Sequence, residues 1–338
     1  MTIHLTSRGS RRVLAGLGAA ALATTLAGCG LDEGSSVGNS VAGGGECGGL
    51  TAAGDVDPEG LDGVEVISGS KDFDEQLVLG QLTADYLCLW GADTTADLNT
   101  QGSTAAREKI IRGDNNIMWE YTGTGWINYL GNDKPIFDPV EQYEAVKEAD
   151  LANDVYWGPL SPFNNTYAFA VTEDFASETG VATHSDMAAY IEENPDASVC
   201  VESEFANRPD GYPGFKEAYG ITGGDEQSLG TGVIYTQTGQ GNCDFGEIFT
   251  TDGRIAANDL VVLEDDKSFF PLYNGVPVTS VEYNDANPEV MEALAPLADS
   301  LTTEVMQDLN TRISAEGQSP ETISSDYLVE AGFATESE

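Results

Sequence analysis

From Val64 onward the chain alternates between short β-rich runs and longer stretches with apolar residues at helical spacing, which confines it to α/β architecture. Val64-Glu65-Val66-Ile67 reads as a first strand. Asp72 and Glu75 stand three apart ahead of Leu79, Leu82, Tyr86 and Leu89, which predicts a capping box and a helix over 74–90, ended by Gly91. Ala105 to Ile111 reads as helix and Ile117-Met118-Trp119 as a buried strand. Asp138 and Pro139 open a helix to about Leu151, with the aspartate as cap and the proline at the first position. Tyr167 to Val171 and Ala197 to Val201 are expected strands, and Ser185 caps a helix over Met187, Tyr190 and Ile191. Pro288 to Leu297, Thr302 to Leu309, and a last helix from Ser319-Pro320 to Gly332 complete the series. This order implies mostly parallel sheets covered by helices.

Ahead of this region lies a leader. Arg8, Arg11 and Arg12 precede an apolar run from Val13 to Ala27, shorter than the roughly 20 residues of a membrane span. Residues 1–28 therefore read as a signal peptide. Ser10-Arg11-Arg12-Val13-Leu14 resembles a twin-arginine export signal, with ordinary secretion as the alternative. Leu26-Ala27-Gly28-Cys29 looks like a bacterial lipobox. Cys29 would then be the lipidated first residue, anchoring the chain at the extracytoplasmic face of the cell membrane. The competing reading is a plain cleavage site with an incidental cysteine. Residues 29–60, rich in Gly, Ser, Ala and Asp, read as a flexible linker.

The chain has 14 Lys and Arg against 57 Asp and Glu. A nucleic-acid partner is excluded on this balance, because phosphate contacts need basic patches. The acidic surface resists aggregation and suits a salty medium. It also makes any single cation conspicuous. Beyond Cys29, the even set Cys47, Cys88, Cys200 and Cys243 in an exported chain implies two disulfides in one of three connectivities. A metal site is the rival use of these cysteines. It has little support: no Cys-x-x-Cys occurs, and His184 is the one histidine beyond the leader.

Four short blocks carry the chemistry: Gly69-Ser70-Lys71, Glu120-Tyr121-Thr122-Gly123-Thr124, Asn164-Asn165-Thr166-Tyr167 and Asn207-Arg208-Pro209-Asp210-Gly211. Isolated cations suit a carboxylate, and clustered aromatic faces suit a quaternary ammonium. A betaine carries both groups. Lys71 stands just before the predicted helix at 74–90, whose amino terminus favours an anion. Each of these residues has a plainer use: a solvated lysine, an Arg208–Glu204 salt bridge, a turn threonine at 124, aromatics packed in a core.

At these blocks the chain resembles the solute-binding proteins of glycine betaine, choline and related osmoprotectant ABC importers, from about Val64 to Phe333. Further shared blocks are Asp72-Phe73-Asp74-Glu75-Gln76, Pro162-Phe163, Thr251-Asp252-Gly253-Arg254-Ile255, Asp259 to Lys267, and Phe269-Phe270-Pro271. The resemblance implies a two-lobed periplasmic-binding-protein fold of type II-like form, with two crossing hinge strands near Asn164-Asn165 and Phe270-Pro271. Lobe one would be 61–165 plus 271–338 and lobe two 166–270. Cys47–Cys88 and Cys200–Cys243 are then the preferred disulfides, since each stays within one lobe. The resemblance further implies that Lys71, Arg208 and Thr124 hold the ligand carboxylate, with Glu204 orienting Arg208 and Thr104 a weaker polar contact at the cleft floor. Tyr121, Tyr167, Phe249 and Tyr273 would form an aromatic cage. Phe249 stands where relatives often have tyrosine, and Asn165 where some have aspartate, which removes a charge near the cation. Choline lacks the carboxylate and ranks below the betaines. The implied partners are a small quaternary-ammonium solute and an ABC permease, for a monomeric chain without cofactor.

The alternatives are the same fold holding an amino acid, ectoine or another zwitterion, and an enzyme. A primary ammonium needs hydrogen-bond acceptors, which Asn165 serves less well than a carboxylate. Against an enzyme stand the lack of a Gly-x-Ser-x-Gly elbow between a strand and a helix, the one such spacing, Gly34 to Gly38, falling in the linker, and the absence of a phosphate-cradling Gly-x-x-x-x-Gly-Lys loop.

Overall fold

The computed structural model describes residues 39–41, 47–132 and 134–337. The leader and Cys29 lie outside the described residues. In chain order the strands are β1 (Asn39–Val41), β2 (Leu50–Ala52), β3 (Glu65–Lys71), β4 (Asp93–Thr100), β5 (Met118–Tyr121), β6 (Val155–Trp157), β7 (Tyr167–Thr172), β8 (Ser198–Val201), β9 (Asp225–Ser228), β10 (Phe245–Phe249), β11 (Leu260–Val262), β12 (Gly275–Ser280) and β13 (Ala334–Glu336).

Helix α1 (Asp74–Leu89) forms because its apolar residues recur on every face; it is buried along almost its whole length. It connects β3 to β4, which pair in parallel, as a crossover helix must allow. It also packs against the helices Thr303–Ser314 and Pro320–Glu330. Helix α2 (Ser103–Arg112) follows β4 and ends at Gly113, whose φ of 73° closes the last turn in the left-handed conformation. β12 lies between β5 and β6, antiparallel to both, and an isolated parallel bridge from Ser68 to Ile117 joins β3 to the approach of β5. A separate five-stranded sheet, ordered β11-β7-β10-β8-β9, is built entirely from residues 167–262.

The α/β fold class holds, but the sheets are mixed rather than mostly parallel. β8 pairs in parallel with β9 and β10, whereas β7, β11 and β12 run antiparallel to their neighbours. The antiparallel strands lie where the chain passes directly from one sheet to the other without a helical crossover. There, residues 163–165 and 270–274 run side by side. Asn164 bridges Asn274, Asn165 N donates to the Tyr273 carbonyl at 3.1 Å, and Tyr273 N donates to Asn164 Oδ1 at 2.6 Å.

Three local expectations change. The Asp72–Glu75 capping box does not form: Phe73 occupies the cap position, and Glu75 turns into the core. Thr183, not Ser185, caps the helix His184–Glu193, in a capping box with Asp186; the threonine offers the same oxygen two residues earlier. The segment 47–60 is not a flexible linker. Cys47 is bonded to Cys88 of α1, Leu50 and Val56 are buried, and β2 pairs with β13. A few apolar side chains and a disulfide outweigh the Gly- and Asp-rich composition. Asp138 and Ser319 cap their helices as expected, and Thr302, expected inside its helix, caps Thr303–Ser314.

Both disulfides, Cys47–Cys88 and Cys200–Cys243, are present. The first closes a loop with a sequence separation of 41. Replacing Cys47 and Cys88 by serine is expected to lower unfolding stability by about 2–4 kcal/mol. Denaturant titration of the oxidised wild type against the double variant measures the difference.

Candidate ligand-binding site

Between the five-stranded sheet and the β3–β5 region lies a cavity of about 370 Å³, within the range of small-molecule sites. Its lining includes Lys71, Tyr121, Thr124, Asn165, Tyr167, Glu204, Arg208, Phe249 and Tyr273. Thr104 is exposed and lines only a shallow neighbouring groove; the residue of that pair facing the cavity is Ser103. Helix α2 begins at Ser103 and turns the next side chain outward.

One wall is aromatic and continuous. Phe73 stacks on Phe249 at 5.4 Å and 12°, and lies 6.2 Å from Tyr121. Phe249 meets Tyr167 at 5.0 Å, and Tyr167 meets Tyr273 edge-on at 5.3 Å and 88°. The rings come from β5, β7, the end of β10, the cap of α1 and the segment before β12. Phe73 was not among the expected cage residues, although it sits inside the Gly69 to Gln76 block; its place at a helix cap concealed its ring. Gly123 is required here, because a Cβ would come within 2.7 Å of the Tyr273 ring. Burial pushes the Tyr121, Tyr167 and Tyr273 hydroxyls well above the usual phenol range, so these faces stay neutral.

The other wall is charged. Lys71 Nζ lies 2.5 Å from Glu120 Oε1, with both side chains buried, and 5.2 Å from the Tyr121 ring centroid. Arg208 is gripped by Asp210, with Nε donating to Oδ1 at 2.8 Å and an Nη donating to Oδ2 at 2.5 Å. The same guanidinium donates to Glu204 Oε1 at 3.0 Å and to Thr124 Oγ1 at 3.2 Å. Thr124 accepts from Arg208 and so keeps its own hydrogen for an acceptor in the cavity. Asp210 also accepts from the Tyr273 hydroxyl at 2.8 Å, tying the charged wall to the aromatic one.

Glu204 is the link between the two sides. Its Oε2 accepts from Ser103 N at 2.9 Å, at the amino terminus of α2. Gly102, with φ at 80°, sets the chain direction that aims this amide outward. Burial pushes the Glu204 carboxyl up, but Lys71 and Arg208 outweigh it and hold its pKa down to about 2. Thr124 opens a six-residue π-helical turn, Thr124–Tyr129, a form that local periodicity does not reveal.

Glu247 of β10 is buried behind this wall and accepts from Glu202 N at 2.9 Å, with Oε1 left without a partner. Burial raises its pKa from 4.5 to about 8. A raised carboxyl pKa stabilises the fold below the unfolded value and loses that contribution as pH rises through the folded value. Glu247→Gln is therefore expected to gain stability over wild type as pH rises from about 4.5 to about 8, with the two converging in acid. Unfolding midpoints measured across that pH range test the sign.

Comparison with known proteins agrees with this geometry. The family described as the substrate-binding domain of the ABC-type glycine betaine transport system matches residues 64–330. The glycine-betaine-binding protein of Pseudomonas aeruginosa is 36% identical over 84% of this chain and 92% of its own length. The glycine betaine-binding protein YehZ of Escherichia coli is 29% identical over 78% of this chain and 90% of its own. A solved structure described as a glycine betaine/carnitine/choline ABC transporter, 29% identical, superposes with a TM-score of 0.65 over 80% of this chain and 98% of that one. By its sequence, its fold and the composition of its cavity, the chain belongs to the family of ABC-type glycine betaine substrate-binding proteins.

Proposed function

We propose that this chain captures a zwitterionic quaternary-ammonium solute, glycine betaine or a close relative, outside the cytoplasmic membrane and delivers it to an ABC permease. One observation carries the reading: a continuous wall of aromatic faces and two buried cations line one cavity. A methylated ammonium gains about 0.5–2 kcal/mol from each desolvated ring face it meets. The carboxylate end would lie toward Lys71, Arg208 and Thr124. The names of the Pseudomonas aeruginosa and Escherichia coli relatives support the same ligand class.

In this reading, lobe one (61–165 plus 271–338) brings Lys71, Tyr121, Thr124 and Tyr273, and lobe two (166–270) brings Tyr167, Glu204, Arg208 and Phe249. Ligand held by both would favour the closed arrangement by differential contact. The chain acts by binding, as a monomer and without chemistry on the ligand. It is held at the membrane through lipidated Cys29, in keeping with its leader. Among the described residues no helix is long and apolar enough to cross a membrane.

A second reading is choline, which carries the cation alone. It is favoured by the pairing of both basic side chains with carboxylates: Lys71 with Glu120, and Arg208 with Asp210 and Glu204. Calorimetry against glycine betaine, proline betaine, carnitine, choline, ectoine and proline separates these ligands. Lys71→Ala and Arg208→Ala are each expected to weaken glycine betaine by about tenfold or more, the loss of one charge-assisted hydrogen bond, and to leave choline much less affected. Equal losses for the two ligands would reject the carboxylate assignment. Tyr167→Ala should weaken both.

A further inference from the structure

We propose that Glu75 is the buried counter-charge of the ligand's ammonium, acting through Tyr121 and Asn165 rather than by contact. The inference rests on the quaternary-ammonium reading above.

Glu75 sits in the first turn of α1 and is 3% exposed. Its Oε1 accepts from the Tyr121 hydroxyl at 2.7 Å and from Asn165 Nδ2 at 2.8 Å. Its Oε2 accepts from the Thr251 hydroxyl at 2.6 Å and from Asn310 Nδ2 at 2.7 Å. Two of these donors have their direction fixed elsewhere. The Tyr121 hydroxyl accepts from Gln76 Nε2 at 3.0 Å, so its own hydrogen is left for Glu75. Asn310 Nδ2 also donates to the Thr251 carbonyl at 2.9 Å, which identifies it as the amide nitrogen. The pocket is thus shaped for an ionised carboxylate, at the positive end of a helix.

All four donors are neutral. Lys71 pairs with Glu120, Arg208 with Asp210 and Glu204, and Arg254 with Asp74 and Asp252. None of these pairs satisfies Glu75. Burial holds its pKa above the usual carboxylate range although four hydrogen bonds pull it back, and a nearby positive charge would draw it toward ionisation.

Its reach toward the cavity runs through two residues that line it. A carboxylate accepting the Tyr121 hydroxyl polarises the phenol and enriches the ring face that a cation meets. The same carboxylate holds Asn165 by its nitrogen, leaving the partially negative Oδ1 without a partner. A narrow cleft that includes Glu75 and the paired Arg254, Asp74 and Asp252 adjoins the cage and shares Phe73, Asn165 and Phe249 with it.

The alternative is a carboxylate that only clamps four passing segments. Two probes distinguish them: glycine betaine, and 3,3-dimethylbutanoate, in which carbon replaces the quaternary nitrogen while shape and carboxylate remain. Glu75→Gln removes the charge, and Tyr121→Phe keeps the ring but cuts its link to the charge. Calorimetry is expected to show glycine betaine weakened by about tenfold or more in Glu75→Gln and several-fold in Tyr121→Phe. The loss of affinity for 3,3-dimethylbutanoate should be markedly smaller than that for glycine betaine in both variants. Equal losses for the two probes, or no loss for glycine betaine, overturn the proposal. If Glu75→Gln does not fold, Tyr121→Phe decides between the same outcomes. A wild-type chain that binds no quaternary ammonium overturns the functional reading and this inference with it.

Discussion

The contacts between residues 164–165 and 273–274 bring the two sides of the cavity together. Asn164 and Asn165 bond to Tyr273 and Asn274 through backbone and side chain, and Asn274 Nδ2 reaches the carbonyl of Phe163 at 3.0 Å. Tyr167 follows two residues after one of these passages, and Tyr273 lies within the other. The two rings meet because the backbones that carry them are hydrogen-bonded to each other. The Tyr167–Tyr273 part of the aromatic wall thus follows from how the chain crosses between its sheets.

The charged wall obeys a different constraint. A chain with 14 basic and 57 acidic residues buries Lys71, Arg107 and Arg208 almost completely. Each has a carboxylate within 2.5 Å, since an unpaired buried charge is far more costly than a paired one. Arg107 with Asp150 shows that such pairing also occurs away from the cavity lining. What sets Lys71 and Arg208 apart is that Glu204 lies near both and also meets the amino terminus of α2.

Much of this was legible in the residues. The helix caps at Asp138 and Ser319 follow from local rules, and the cysteines pair as expected. Nine of the ten expected cavity residues line one space. The failures share a cause. Glu75 fits a capping box by spacing alone, but donors from four distant parts of the chain compete for it and prevail. Ser103 and Thr104 are equivalent locally, and only the start of α2 decides which faces inward. Strand direction is absent from a two-residue period, so the antiparallel partners of β12 could not be read from it. Residues 47–60 look like linker by composition because their ordering rests on a few side chains, Cys47, Leu50 and Val56, and on the distant pairing of β2 with β13.

The pairing of β2 with β13 fixes the order in which the molecule can be completed. Thr51 and Ser337 are hydrogen-bonded across 286 positions, and β12 must arrive before β5 and β6 have a common neighbour. The five-stranded sheet needs nothing beyond one contiguous stretch of chain. Loop-closure entropy rises with the length of chain enclosed, so the contiguous sheet has the smaller barrier and the end-to-end clasp the larger. Half of the cavity can therefore take shape from one contiguous stretch of chain, whereas the other half waits for segments far apart in sequence to meet.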